Sequence, residues 1–194
     1  MLLNEYNHII SKLKSVGRSF WLGGGYSIDV FLGRKSREHD DFDIIIKRED
    51  QLAFQDAFKD WDLQVADPPG SGELVPWKND EFLTLPLHNI WGRKDDNSEW
   101  ELEFLISEFI DTEWVYRRNS AIRGKLADFG MKTEMGIEMI RPEIQLLYKS
   151  RSQREKDIFD FQNCLKLFSK EQKERLRSWI KIDSGSDHPW LNSL

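Results

Sequence analysis

Two stretches decide how this chain folds: Phe20-Trp21-Leu22-Gly23-Gly24-Gly25-Tyr26-Ser27-Ile28-Asp29 and Arg37-Glu38-His39-Asp40-Asp41-Phe42-Asp43-Ile44-Ile45-Ile46. Phe20 to Leu22 read as a short buried strand, which runs into a sharp glycine bend with room for a ligand at the backbone. Ser27 to Leu32 follow as a short helix that stops at Gly33, and Arg34 to Glu38 form a polar loop. Asp41 to Ile46 make a second strand. Its second half is continuously apolar, as expected of a strand entering a sheet covered on both faces. Asp41 and Asp43 stand two apart on that strand, so their carboxylates leave the same face, while Asp40 points the other way.

The rest of the chain extends this pattern. Ile9, Ile10, Leu13 and Val16 recur at helical spacing before Gly17, and Gln51 to Trp61 read as another helix. Leu87 to Arg93 and Trp100 to Ile106 read as a hairpin around residues 94–98, and Trp114 to Arg117 as one more strand. From Pro142, suited to a first helical turn, the periodicity is helical: Ile144, Leu147 and Tyr148 make one stripe, and Ile158, Phe161, Leu165 and Phe168 another. Ser169 with Gln172 signals the capping box of a last helix. The expected architecture is α/β (α+β): a mixed sheet with flanking helices over residues 1–117, then a link and a C-terminal helical region over residues 118–194.

Composition narrows the function classes. With 194 residues, 39% of them hydrophobic, the chain can bury a sizeable core. The lone cysteine, Cys164, sits among Phe161, Leu165 and Phe168 and reads as a small buried hydrophobe. No Cys/His cluster has zinc spacing, so a reducing, cytoplasmic setting is expected. No apolar run is long enough for a bilayer, and Met1-Leu2-Leu3-Asn4-Glu5 lacks the order of a signal peptide, so no membrane partner is expected. A net charge of −6 argues against a general nucleic-acid binder. The charge is uneven, however: Arg141 to Asp183 hold eleven Lys/Arg against seven Asp/Glu, and part of that excess suits an anionic ligand.

Two carboxylates on one face near a strand end repel each other unless a divalent cation lies between them. Mg²⁺, or Mn²⁺ in its place, takes hard oxygen ligands shared with substrate phosphates. A two-metal site needs a third carboxylate. Glu101 and Glu103 share one face of an otherwise apolar strand, and Glu103, deeper in the apolar run, is the better candidate. Such a site activates an attacking hydroxyl and stabilises leaving pyrophosphate. The glycine bend leading into a helix presents backbone N–H groups to an anion, and Arg37 is placed to meet phosphate charge. His39 either orients a carboxylate or packs the loop, and Asp29 braces the turn. Trp77 and Trp91 are core residues or the wall of an acceptor pocket. Without the glycines, Asp41 and Asp43 would read as a solvated strand end. Gly23-x-Gly25 has no glycine at position 28, and the chain has neither a P-loop nor a Gly-x-Ser-x-Gly elbow, which removes three competing motifs.

Taken in order, strand, Gly-Gly, short helix with an Asp and Arg-x-His-Asp-Asp-x-Asp, the segment over residues 21–46 resembles the DNA polymerase β-like nucleotidyltransferase superfamily. Within it, the segment is most similar to the aminoglycoside and lincosamide nucleotidyltransferases. The resemblance implies a nucleotidyltransferase-like mixed sheet. It implies that Asp41 and Asp43 bind two Mg²⁺ and that a later carboxylate, Glu103 or Glu101, completes the triad and acts as base. It also implies that Gly23, Gly24, Ser27, Arg37, His39 and, from the helical tail, Lys149 contact the nucleotide. The implied reaction moves a nucleoside monophosphate, as AMP, from ATP or another triphosphate onto a hydroxyl of a small molecule such as an aminoglycoside-like antibiotic. Three alternatives are a nucleotide-binding regulatory module without transfer, a transferase acting on a protein, and a metal-dependent phosphohydrolase.

Overall fold

The structure, a computed structural model, describes residues 3–134 and 136–194. Met1 and Leu2, part of the stretch read for a leader, lie outside the described residues. Helix α1 (Asn7–Ser15) precedes β1 (Phe20–Leu22), α2 (Gly24–Leu32) and β2 (Phe42–Lys47). Then come α3 (Gln51–Ala57), β3 (Asp62–Ala66), β4 (Leu74–Pro76), β5 (Asn89–Arg93) and β6 (Leu102–Ile110). Short strands β7 (Glu113–Val115), β8 (Arg123–Lys125), β9 (Gly130–Lys132) and β10 (Glu138–Ile140) lead to helices α4 (Pro142–Ser150), α5 (Glu155–Leu165) and α6 (Lys170–Ser184). Among the described residues, no helix is long and apolar enough to cross a membrane.

The strands form one mixed sheet in the order β4-β3-β5-β6-β2-β1-β10-β9, with β7 and β8 attached to the far part of β6. β2 runs parallel to β6, and β1 parallel to β10. The register aligns Asp43 with Glu103 and Ile45 with Leu105, while β5 sets Trp91 beside Glu103. Side chains alternate between faces, so Asp43, Glu103 and Trp91 share one face. Ile44, Ile46, Phe104 and Ile90 share the other, where they bury against Ile9 and Leu13 of α1 and Phe54 of α3. The Asp43 face carries a second core in which Trp21 and Ile45 pack on Ile28, Ile144, Leu147, Phe161 and Leu176 from α2 and α4–α6. Burying each such aliphatic or aromatic side chain contributes roughly 1.5–3 kcal/mol. The covered faces account for the unbroken apolar run Ile44-Ile45-Ile46.

Three expectations are corrected. Helix α2 starts at Gly24 rather than Ser27, so Gly24 and Gly25 form its first turn and Gly23 is its N-cap. Three glycines carry no helix-start signal because they are poor helix formers. Helix α3 ends at Ala57, and Phe58 closes it by packing into the core instead of continuing the turn. The link expected after residue 117 contains β8, β9 and β10, with β10 in the main sheet. Strands three residues long are too short to show alternation. The capping box at Ser169 and Gln172 forms as read, and Pro142 is in the first turn of α4.

Candidate active site

The sheet face carrying Asp43 is open between β6 and α4, leaving a cleft of about 470 Å³. The backbone N–H of Gly23 donates to the Asp43 carbonyl at 2.9 Å, tying the end of β1 to β2. Gly24 has φ +57°, and a Cβ there would fall inside the Asp43 carboxylate. A Cβ on Gly25 would overlap the His39 ring and come within 2.7 Å of Arg37 Nη2. The two glycines thus let a helix N-terminus approach the acidic strand as closely as backbone allows. The N–H of Gly24 donates to Gln145 Oε1 at 3.0 Å, and Ser27 turns its buried hydroxyl back onto the Gly24 carbonyl at 2.8 Å. Ser27 therefore braces the helix start and does not line the cleft.

Asp41, Asp43 and Glu103 each offer a carboxylate oxygen, and the three oxygens lie within 4.8 Å of one another. Asn89 donates to Glu103. Burial, then the charges of Glu103 and Asp41, raise the Asp43 carboxyl well above its ordinary range. Burial also drives Glu103 up to about 7, against hydrogen bonds from Asn89 and Asp43. Asp41 rises through burial and the neighbouring Asp40, opposed by Lys156, His39 and Arg37. Three carboxylates held this close with raised pKa values form a cluster that lacks counter-charge. Glu101 is not part of it: it precedes β6, lies 3.2 Å from His8 and 3.8 Å from Lys94, and does not reach the cleft.

These shifts predict a pH dependence. In the folded protein Glu103 holds its proton up to about 7, whereas an ordinary Glu releases it near 4.5. Its contribution to stability is therefore fully present below 4.5 and lost as pH rises through 7. In EDTA, the protein is expected to lose about 2 kcal/mol between pH 5.5 and 8 from this group. Thermal melts of wild type and Glu103→Gln check it: the variant's curve should be flatter, and parallel curves would refute the coupling.

The cations are pinned rather than free. Arg37 donates through Nε and Nη2 to the two oxygens of Asp160, at 3.1 and 3.0 Å. Lys149 Nζ lies 3.2 Å from Asp157 and 3.0 Å from Asp160. Arg154 Nε meets Asp157 at 2.8 Å. Asp157 and Asp160 are both fully buried on α5. His39 Nε2 is 2.6 Å from Asp29, whose other oxygen accepts from the Ser36 backbone at 2.9 Å and from its hydroxyl. His39 Nδ1 is buried with no partner among the described residues, beside Gly25. The cleft thus gathers Gly24, Arg37, His39, Asp41, Asp43 and Glu103, with Lys149 at its wall. Gly23 stands just behind it, against Ile45 and Asp43. Trp91 lines it, whereas Trp77 is core, its Nε1 donating to the Glu81 carbonyl at 2.8 Å. Cys164 is buried, with its thiol pushed up to about 12, which suits no nucleophile.

Sequence reasoning passed over Gln145, Asn89, Asp157 and Asp160. The last two are spaced i, i+3, which puts them on one helix face, but a charge on a helix in a basic segment reads as solvated until the packing is known.

A family described as aminoglycoside-2''-adenylyltransferase matches residues 6–97, which span α1 through β5. A lincosamide resistance protein of Staphylococcus haemolyticus is 26% identical over 163 residues, covering 82% of this chain and 91% of that protein. The crystal structure of ANT(2'')-Ia in complex with adenylyl-2''-tobramycin superposes with a TM-score of 0.60 at 14% identity, covering 91% of this chain and 95% of that one. The lincomycin-bound lincosamide antibiotic adenylyltransferase LnuA gives 0.56 at 20% identity, covering 80% and 91%. At these identities the two structures establish the fold. Built on that fold and similar in sequence to antibiotic adenylyltransferases, this chain is a nucleotidyltransferase.

Proposed function

We propose that this enzyme transfers AMP from ATP to a hydroxyl group of a small-molecule antibiotic, aminoglycoside-like or lincosamide-like, with two Mg²⁺ bound by Asp41, Asp43 and Glu103. The observation that carries the reading is the triad itself, three carboxylate oxygens within 4.8 Å beside a glycine-led helix start. The donor set fits the metal: hard oxygens only, mutually repelling and short of counter-charge. The orphaned His39 Nδ1, beside the glycine-led N-terminus of α2 and Arg37, suits a phosphate group. The relatives named above support the acceptor class. Because the reaction consumes a nucleoside triphosphate, the reading places it in the cytoplasm.

When bound, the Mg²⁺ ions supply triphosphate neutralisation and a lowered pKa for the acceptor hydroxyl. The chain's own residues do the rest. Glu103 takes the acceptor proton, its carboxylate kept ionised when cations occupy the triad. Arg37, His39 and Lys149 face the leaving pyrophosphate, held in place by Asp160, Asp29 and Asp157 so that little reorganisation is needed. In this division of labour, residues 1–117 supply the acidic triad and glycine bend, and residues 118–194 supply Gln145, Lys149 and the α5 carboxylates that position the cations.

Arg37→Gln is expected to raise the KM for ATP about tenfold, or about 1.4 kcal/mol, with a much smaller change in kcat; an unchanged KM would remove Arg37 from the nucleotide site. The reading as a whole is tested by calorimetry with ATP and Mg²⁺ followed by pyrophosphate release over a panel of hydroxyl compounds. Transfer with release supports it. Binding without release under any acceptor supports the regulatory module instead, and phosphate release without an acceptor supports a phosphohydrolase. The cleft volume favours a small acceptor over a protein.

A further inference from the structure

The cleft carries a charge pattern that the transfer reaction alone does not require. Its carboxylates are Asp40, Asp41, Asp43 and Glu103. Three of these form the acidic triad, and Asp40 sits exposed at the rim, 3.5 Å from Lys156. From Glu103 the cleft floor follows β6 through Leu105 to Ser107, about 13 Å at roughly 3.3 Å per residue. At that far end stand Arg117 and Arg118, with His88 and Tyr148. Arg118 Nη1 donates to the Tyr148 carbonyl at 2.6 Å, and its guanidinium lies 5.7 Å from the Tyr148 ring centre. Arg117 is half-buried, and burial pulls its guanidinium below its ordinary range. The strongest charges on it come from Arg118 and Arg48, with the phenols of Tyr148 and Tyr116 acting the other way. Glu108, next along β6, is held by Arg48 Nε at 2.6 Å. Among the described residues, neither Arg117 nor Arg118 has a carboxylate partner.

In-line displacement puts the attacking hydroxyl and the leaving pyrophosphate on opposite sides of the reacting phosphorus. Gly24, Gly25, Arg37, His39 and Lys149 gather on one side of the triad. The acceptor then comes from the other side, along Leu105 and Ser107 toward Arg117. An acceptor with several ammonium groups finds no free carboxylate there and meets like charge, an arrangement that selects against it.

We propose, resting on the nucleotidyltransferase reading above, that the acceptor is a hydroxyl compound that is anionic, neutral or singly cationic. Arg117, assisted by Arg118, sets this preference by excluding polyamines and by donating hydrogen bonds to an oxygen-rich part of the acceptor. The probes are tobramycin, a polyamine, and lincomycin, a monoamine. Each is titrated into enzyme loaded with Mg²⁺ and α,β-methylene-ATP, so that the triad is screened, and each is then offered for turnover with ATP. Lincomycin is expected to bind at least tenfold more tightly, with turnover in the same order. Arg117→Glu is expected to shift the ratio toward tobramycin by at least tenfold with the KM for ATP within threefold, and Arg117→Gln to shift it the same way by less, which covers a misfolded Glu variant. Tighter binding of tobramycin by wild type, or binding of neither probe, overturns the proposal. So does a charge-reversed variant whose KM for ATP rises while the antibiotic ratio stays put, since that would assign Arg117 to the nucleotide. Failure of α,β-methylene-ATP to bind is a separate result: it retracts the nucleotidyltransferase reading, and this inference with it.

Discussion

Replacing Asp43 with Asn is expected to lower the transfer rate about 10³-fold or more, since removal of one shared carboxylate forfeits several kcal/mol of metal-based stabilisation. Asp43 lies under Gly24 and between Asp41 and Glu103, so no neighbouring side chain can take over its position. Nucleotide affinity should fall much less, within about tenfold, because Arg37 and Lys149 keep their own partners on α5. In EDTA the variant should melt at a higher temperature than wild type above pH 7. Asp43 has a strongly raised carboxyl, and an amide ends the repulsion that burial makes costly. Pyrophosphate release, calorimetry and melting curves read these three effects separately. Near-normal transfer, or a lower metal-free melting temperature, would remove the assignment.

Gly24→Ala is expected to cut transfer about 100-fold, the scale of loss when reacting groups are misplaced by around 1 Å. Two costs combine. The backbone is left-handed at φ +57°, which penalises any Cβ by about 1–2 kcal/mol. The added methyl would also occupy the position of the Asp43 carboxylate, so either α2 or the carboxylate must move. Gly33→Ala is the control. It too has positive φ, but nothing lies within 4 Å of its Cβ position. It should lose about 1 kcal/mol of stability and retain transfer within about twofold. Equal losses of activity in the two variants would show that close approach at Gly24 has no catalytic role.

Much of this arrangement was legible in the sequence because it is local. Asp41 and Asp43 are separated by one residue, so alternation alone predicts their common face, although β2 itself begins at Phe42. Glu103 was legible for a different reason: a carboxylate inside an apolar strand is costly unless something calls for it. The pairing of β2 with β6, which aligns Asp43 with Glu103, was not visible, because parallel register is set by contacts far apart in sequence. Glu101 illustrates the limit, since it shares the alternation of Glu103 but lies one step outside the strand, beside His8 and Lys94. Arg37 and Lys149 were legible as cations but not as pinned cations, because their anchors Asp157 and Asp160 come from a helix more than a hundred residues beyond Arg37. Arg117 stood at the end of the strand expected over Trp114 to Arg117, which in the structure stops at Val115, and neither it nor Arg118 carried a signal for a site. They follow the three-residue strand β7 and reach the cleft only because β7 folds back on β6.

The central claim concerns one place, the triad beside the glycine-led helix, and a crystal structure with Mn²⁺ and α,β-methylene-ATP addresses it directly. The account predicts two anomalous-scattering peaks about 3.5–4 Å apart, ligated by Asp41, Asp43 and Glu103, with the triphosphate against Gly24, His39 and Arg37. Manganese bound elsewhere, or a triphosphate that leaves those three carboxylates untouched, would contradict it.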